Sequence, residues 1–181
     1  MTTAAPWCTV LQAPAAWRVV DFISDLHLQA GEPATLQTWQ RYMASTPADA
    51  VFILGDLFEV WVGDDAAAVP GFEQDCGQVL AATARCRDVF FMPGNRDFLL
   101  GKAFLETCRM QELQDPTVLA FAGQRWLLSH GDALCLDDTD YQQFRAQVRS
   151  PAWQEAFLAR PLAERQALAR CQRAGQKGLL P

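Results

Sequence analysis

The sequence predicts an α/β fold in which buried strands alternate with helices, and two observations lead to this prediction. The first is a set of short apolar runs at 19–23, 51–54 and 89–92, each followed by a turn, which is typical of strands buried in a parallel sheet. The second is the helical spacing of the apolar residues between these runs. Strands that alternate with helices in this way indicate βαβ units.

The elements follow one another in a simple order. Residues 1–17 are rich in Ala, Pro and Thr and are predicted to form a loose leader. Amphipathic helices are predicted around 36–43 and 72–85, and a further helix at 98–108. The apolar stretch 58–65 runs into Gly-Asp-Asp and is predicted to be a loop or short helix beside the functional site.

The second half of the chain divides into a hairpin and a helical tail. The runs 118–121 and 125–128 predict a hairpin that joins the parallel strands in a mixed sheet. After residue 140 the apolar spacing is purely helical, with a break at Ser150-Pro151. We therefore expect a core at 18–140 and a helical lid or cap at 141–181.

The composition limits the class of protein. A hydrophobic fraction of 50% with 20% charged residues is typical of a globular domain, and the net charge of −6 argues against nucleic acid as a partner. The six cysteines form no CxxC pair and are predicted to be reduced thiols in a cytosolic protein. The sequence shows no secretory signal, and no run approaches the roughly 20 apolar residues of a membrane span.

Metal-ligating side chains follow four of the predicted strands, namely Asp25 and His27, Asp56, Asn95 and His130. The carboxyl ends of parallel strands meet at one edge of a sheet, so we expect these side chains to lie close together. Carboxylate, imidazole and amide oxygen are ligands suited to Mn²⁺-like ions. Asp56 follows the central strand and could bridge two cations, because each of its oxygens can bind a different one. The pattern predicts a two-metal phosphoester hydrolase.

Each of these residues also has a simpler interpretation when it is taken alone. Asp25 and Asn95 could be ordinary turn residues. His27 and His130 could be structural histidines with satisfied hydrogen bonds. The metal hypothesis therefore depends on the four strand ends coming together.

The order of these blocks resembles the calcineurin-type metallophosphoesterases. The blocks are Asp25-Leu26-His27, Gly55-Asp56, Gly94-Asn95-Arg96-Asp97 and His130-Gly131-Asp132. With their flanking residues, from about Val19 to Ala174, they are most similar to the UDP-2,3-diacylglucosamine hydrolase family. These are pyrophosphatases of lipid A biosynthesis that release UMP and leave lipid X. The resemblance implies a β-sandwich flanked by helices, a dinuclear metal centre, and a lid over the acyl chains.

The resemblance also implies roles for individual residues. Two Mn²⁺ ions are expected, one held by Asp25, His27 and Asp56, the other by Asp56, Asn95 and His130. Catalytic roles are implied for Asp56, Asn95, Arg96 and His130, and substrate contacts for Asn95, Arg96, Asp138 and Tyr141. The expected reaction is in-line attack of a water on one phosphorus, with the metals lowering the pKa of that water.

Arg96 bears on the class of substrate. Many phosphomonoesterases of this superfamily have a histidine after the asparagine, which can protonate a leaving alkoxide. Arginine does not give up its proton at working pH and suits a double phosphate, whose oxygens it can clamp. The alternative is a surface turn in which Arg96 pairs with Asp97, an arrangement that contributes little stability.

The helical tail carries seven basic residues and two acidic ones from Tyr141 onward. This excess fits a helical face near anionic lipid, although a solvated face is an equal alternative. The resemblance implies a cytoplasmic protein peripheral to the inner membrane, with UDP-2,3-diacylglucosamine as its partner.

One expected block is missing from the sequence. The family carries a Gly-His-x-His block after the fourth motif, whereas this chain has no histidine after His130, and residues 175–181 differ from the polar segment expected in the lid. Each metal would therefore lack one imidazole. We expect a shortened sequence or a frameshift near Gly175. Two alternatives to the pyrophosphatase stay open, a non-catalytic remnant and a generic metallophosphodiesterase.

Overall fold

The computed structural model describes residues 8–173, which form two β-sheets with helices outside them. The strands are β1 (Thr9–Gln12), β2 (Val20–Ile23), β3 (Ala50–Leu54), β4 (Asp88–Met92), β5 (Gln111–Glu112), β6 (Thr117–Phe121) and β7 (Gln124–Leu128). The helices are α1 (Pro33–Ser45), α2 (Phe72–Thr83), α3 (Lys102–Cys108), α4 (Thr139–Val148), α5 (Pro151–Leu158) and α6 (Leu162–Arg173).

The two sheets differ in topology. The larger one has the order β2-β3-β4-β5 and is parallel throughout. The smaller one has the order β1-β6-β7, in which β1 runs parallel and β7 antiparallel to β6. The carboxyl ends of β2, β3 and β4 therefore lie side by side at one edge of the larger sheet, where an open α/β sheet places its ligands.

The core has two layers, and β3 contributes to both. Val51 and Ile53 pack with the helices on one face of the larger sheet, while Ala50 and Phe52 face the smaller sheet. Leu119 of β6 packs in this second layer. This is the arrangement expected of a strand buried on both faces, and the predicted β-sandwich flanked by helices is confirmed.

Two of our predictions about the strands are wrong. The predicted loose leader contains strand β1, which pairs with β6, and Trp17 is buried between the sheets. Four residues give too short a pattern to reveal a strand whose partner lies more than 100 positions away. The hairpin forms as predicted, but it joins β1 in a separate sheet because the apolar layer lies between it and the parallel strands. Residues 1–7 lie outside the described part.

The helical tail packs against the rest of the fold. Ser150 caps α5, since its hydroxyl accepts a hydrogen bond from the Trp153 amide, and Pro151 starts the helix. Trp153 and Phe157 then pack onto the helix-side core. Residues 174–181 of the predicted lid lie outside the described residues. Within 8–173, no helix has the length and apolarity that a membrane crossing requires.

Candidate metal centre

The five predicted ligand residues come from four loops at one edge of the fold. Asp25 and His27 follow β2, Asp56 follows β3, Asn95 follows β4 and His130 follows β7. Asp25, His27 and Asp56 adopt positive φ angles of 53°, 48° and 52°. Residues other than glycine rarely occupy this left-handed region, and those that do cluster at functional sites.

Asp56 lies between the two histidines, and each of its oxygens faces a different one. Oδ2 lies 3.9 Å from Nε2 of His27, and Oδ1 lies 3.7 Å from Nε2 of His130. Two ligand atoms that share a small divalent cation at roughly 2.1 Å each can be up to about 4.2 Å apart. Both distances fit a cation between the atoms, so Asp56 has the geometry of a bridging carboxylate.

The hydrogen bonds of His130 fix which of its nitrogens is free to bind a metal. Nδ1 lies 2.9 Å from the carbonyl oxygen of Leu54, so the proton of the neutral ring belongs on Nδ1. The lone pair of Nε2 then points at Oδ1 of Asn95, 3.0 Å away, and at Asp56. A cation placed among these three groups would interact favourably with all of them.

His27 and Asp25 complete a second cluster with Asp56. The ligand atoms of these three residues all lie within 4.8 Å of one another. Nδ1 of His27 is buried and makes no hydrogen bond to any residue in 8–173, although an oxygen of Glu59 lies 3.0 Å away. A carboxylate at this distance can orient an imidazole that binds a metal through its other nitrogen. The residues present therefore fit a divalent metal in each half of the site.

Two glycines allow these loops to approach one another. A Cβ atom on Gly94 would overlap the carboxylate and amide nitrogen of Asp56, and one on Gly55 would overlap the ring of His130. Gly55 also has a φ of 87°, which favours glycine. Both positions therefore require glycine for the candidate ligands to come together.

Asp97 holds the Asp56 loop in place. Its side chain is fully buried and accepts hydrogen bonds from the backbone amides of Gly94, Leu57, Asp56 and Phe58, at 2.9, 2.8, 3.2 and 3.4 Å. Burial raises the pKa of Asp97 to about 6, although the amide donors oppose this shift. The surface-turn alternative for Asp97 is wrong, because its carboxylate faces the interior.

Asp132 links the His130 loop to α4. Its carboxylate accepts hydrogen bonds from Arg145, Arg149 and the hydroxyl of Tyr141, with donor–acceptor distances of 2.8 to 3.2 Å. Burial alone would raise the pKa of Asp132, but the donors Arg145 and Tyr141 and the charge of Arg149 outweigh it and hold the pKa below its usual value.

A cleft of about 240 Å³ opens beside the candidate ligands, and three of the four predicted substrate contacts line it. Asn95, Arg96 and Tyr141 line it, whereas Asp138 does not line it and caps α4 through the amide of Tyr141. The remaining lining is mainly apolar and comes largely from the core loops and the helical tail, including Phe98, Leu99, Phe144, Trp153, Phe157 and Leu168.

Sequence reasoning gave no role to Glu59, Asp97 or Arg149. Asp97 belongs to the blocks quoted above and Glu59 follows the second of them closely, so the signal was present. A carboxylate in a loop, however, does not reveal whether it faces a metal, an amide or solvent. Arg149 immediately follows α4 and has no motif around it. Its contacts depend on how α4 docks.

The fold and this arrangement of ligands define the class of protein. The sequence pattern of the calcineurin-like phosphoesterase family matches residues 19–169, and the chain belongs to this family. It is also similar to curated proteins named UDP-2,3-diacylglucosamine hydrolase. That of Aromatoleum aromaticum is 50% identical over 147 residues, covering 80% of this chain and 59% of the relative.

Two further relatives with this name show the same level of similarity. The protein of Chromobacterium violaceum is 49% identical, covering 86% of this chain and 65% of the relative. That of Xanthomonas campestris pv. campestris is 49% identical, covering 84% of this chain and 62% of the relative. The chain thus spans about three fifths of the length of these relatives. Among solved structures, AQ665 of Aquifex aeolicus, a protein of unknown function, is 20% identical, covers 71% of this chain and 70% of its own, and has a TM-score of 0.43.

Proposed function

We propose that this chain carries the catalytic centre of a Mn²⁺-dependent pyrophosphatase of lipid A biosynthesis. Its substrate would be UDP-2,3-diacylglucosamine, cleaved to UMP and lipid X (2,3-diacylglucosamine 1-phosphate). The observation that carries the proposal is the position of Asp56 between His27 and His130, beside a mainly apolar cleft. The name shared by relatives about 50% identical to the chain supports the choice of substrate.

The proposed cofactor is a pair of Mn²⁺ ions bridged by Asp56. Asp25 and His27 would complete one site, and Asn95 and His130 the other. When bound, the two ions would lower the pKa of a water and offset charge on the attacking and leaving oxygens. The mixed set of carboxylate, imidazole and amide ligands suits such an ion.

The chain's own residues would orient the diphosphate. Arg96 is about half exposed at the cleft, and its guanidinium lies 3.8 Å from Glu59. It can clamp phosphate oxygens by paired hydrogen bonds. Its backbone amide donates to Oδ1 of Asp56 at 2.8 Å, which holds that carboxylate in its bridging orientation. Tyr141 lines the same cleft, and a direct contact between Asp138 and the substrate stays a prediction.

We further propose that the acyl chains lie in the apolar part of the cleft, under the helical tail. Burying apolar surface of a chain there would contribute about 25 cal/mol per Å². The aromatic rings of Trp153 and Phe157, stacked with centroids 4.8 Å apart, form one wall.

Attachment to the cytoplasmic face of the inner membrane is also a proposal. Leu134 and Leu136, just beyond His130, are each 73% exposed and could enter the lipid interface. The basic residues of the tail give less support than their number suggests. Arg145 and Arg149 bind Asp132, and Arg165 is buried against Asp65 and the carbonyl of Val62.

A second candidate is a metal-binding domain without catalysis. The sequence contains only two histidines, so each proposed metal would have a single imidazole. Loss of a metal ligand should lower metal affinity or activity by at least 10–100-fold, which is the loss typical of removing a residue that supports a ligand.

The purified chain should be incubated with UDP-2,3-diacylglucosamine and Mn²⁺, and the release of UMP measured. We expect release with Mn²⁺, none after chelation, and a loss of at least 100-fold in Asp56→Asn. Glu164→Gln, which removes a charge from an exposed ion pair, is the control. Mn²⁺ binding without UMP release would favour the non-catalytic candidate. Cleavage of a chromogenic phosphodiester without UMP release would favour a generic phosphodiesterase.

A further inference from the structure

Arg149 contacts both of the loops that carry Asn95 and His130. Its Nη2 donates hydrogen bonds to the carbonyl oxygen of Gly94, at 2.9 Å, and to Oδ2 of Asp132, at 3.2 Å. The guanidinium also lies over the ring of Phe98, 5.7 Å from its centroid. Arg149 immediately follows α4, so a residue of the helical tail contacts the loops that hold two of the candidate metal ligands.

These contacts are placed to control the geometry of two candidate ligands. Gly94 directly precedes Asn95, and Asp132 lies two residues after His130. One guanidinium therefore fixes the separation of the two loops, at whose ends Nε2 of His130 and Oδ1 of Asn95 lie 3.0 Å apart. A planar guanidinium holds two acceptors in a fixed geometry, which the single ammonium of a lysine does not.

Arg145, which lies within α4, provides a comparison. It binds the same carboxylate, Asp132, through two hydrogen bonds of 2.8 and 3.2 Å. Among the described hydrogen bonds of these two arginines, the one to Gly94 belongs to Arg149. Arg145 thus holds α4 to the His130 loop, whereas Arg149 also holds the Asn95 loop.

We propose that Arg149 is a positioning residue that couples the docking of α4 to metal binding by Asn95 and His130. The proposal rests on the metal centre of the proposed function. By linkage, a metal that binds more tightly when α4 is docked favours the docked helix by the same factor. Docking of α4 over the cleft and binding of the metal are then coupled to each other.

The test compares Mn²⁺ affinity in Arg149→Gln and Arg145→Gln, measured from the EPR signal of free Mn²⁺ during titration. We expect the affinity to fall by about 10-fold in Arg149→Gln, in the range for loss of a residue that supports a ligand. Arg145→Gln should change it by less than about threefold, even though it loses two hydrogen bonds to Asp132. Arg149→Lys keeps the charge and is the safer variant for folding. Its Mn²⁺ affinity should lie between those of the wild type and Arg149→Gln.

Hydrogen exchange of the α4 amides gives a second readout that does not depend on catalysis. Mn²⁺ should slow this exchange in the wild type and have a smaller effect in Arg149→Gln. Equal Mn²⁺ affinity in wild type and both Arg149 variants would overturn the coupling, as would an equal loss in Arg145→Gln. A wild type that binds no Mn²⁺ would overturn the metal centre as well. Mn²⁺ binding without UMP release would count against the proposed function alone.

Discussion

Asp56 is held in its orientation by the protein itself. Its backbone adopts a φ of 52°, a conformation that costs of the order of 1–3 kcal/mol in a residue other than glycine. The Asp97 carboxylate accepts a hydrogen bond from the backbone amide of Asp56, and the backbone amide of Arg96 donates one to the Asp56 side chain. These contacts determine the direction of both carboxylate oxygens, so the candidate site is preorganised for a divalent metal.

Gly94→Ala should disrupt this site. A Cβ at this position would overlap the carboxylate and amide nitrogen of Asp56, and neither can move without breaking its hydrogen bonds to Arg96 and Asp97. We expect a loss of about 1–3 kcal/mol in the free energy of unfolding, as for other overpacked sites. Mn²⁺ affinity should fall at least about 10-fold. Urea denaturation and Mn²⁺ titration measure the two effects.

Gly31→Ala is the matched control, because a Cβ at Gly31 would meet no atom within 4 Å. It should leave both quantities close to those of the wild type. If Gly94→Ala bound Mn²⁺ as tightly as Gly31→Ala, the close approach of Gly94 to Asp56 would have no part in the site.

At the residue scale, the sequence predicted which side chains come together but not what supports them. Asp56 was predictable because it comes just after an apolar run, and the edge of a parallel sheet collects such positions. His130 also comes just after an apolar run, but its strand β7 lies antiparallel in the smaller sheet, so the edge rule alone does not explain its position. Asp97 was not predictable, since its burial depends on amides from two loops that meet only in the folded chain. Polar residues next to a metal ligand face either solvent or the protein, and the local sequence does not distinguish these cases.

At the scale of elements, α4 is attached to the core through charge. Asp132 lies between the core and this helix, with Tyr141, Arg145 and Arg149 as its donors. The helix buries one apolar residue, Val148. Ionic contacts therefore make a large contribution to its docking.

Asp132→Asn should lower stability in a way that depends on pH. The folded pKa of Asp132 lies below its unfolded value of about 3.9, so the folded state binds fewer protons between these two values. The contribution of the Asp132 carboxylate to the free energy of unfolding is then fully present above the unfolded pKa, and it is lost as the pH falls through the folded pKa. We expect the variant to be less stable by roughly 2–3 kcal/mol at pH 7, with the difference narrowing below pH ~4.

Urea denaturation of both proteins from pH 7 to pH 3 measures this difference. Asp138→Ser is a control on the same helix, because serine can also accept the capping hydrogen bond and Asp138 makes no contact with the arginines among the described hydrogen bonds. A stability difference between wild type and Asp132→Asn that stayed constant down to pH 3 would contradict the assigned pKa shift.

Among the elements, long apolar patterns were predictable and short pairings were not. The central strand β3 and the break before α5 carry strong local signals, a buried apolar run and a Ser-Pro pair. Strand β1 has four residues, of which Leu11 packs in the core, and it becomes a strand only by pairing with β6. That contact is made by tertiary structure, which the local pattern does not contain.

At the scale of the whole molecule, the candidate metal centre joins the two sheets. Asp25, Asp56 and Asn95 follow strands of the larger sheet, whereas His130 follows β7 of the smaller one. A cation shared by Asp56 and His130 therefore connects the two halves of the sandwich. Binding energy at this point adds to the stability of the packing between the sheets, because an unfolded chain does not hold these ligands together.

Mn²⁺ should therefore stabilise the whole fold. A ligand at 100 times its Kd contributes about 2.7 kcal/mol, which raises the Tm of a chain of this size by roughly 5–10 °C. Thermal unfolding of the chelated protein with increasing Mn²⁺ measures this shift. Asp56→Asn should abolish most of it, because both halves of the site lose their shared ligand, while Glu164→Gln, in an exposed ion pair with Arg160, should retain it. An equal rise of Tm in both variants would place the stabilising ion somewhere other than between His27 and His130.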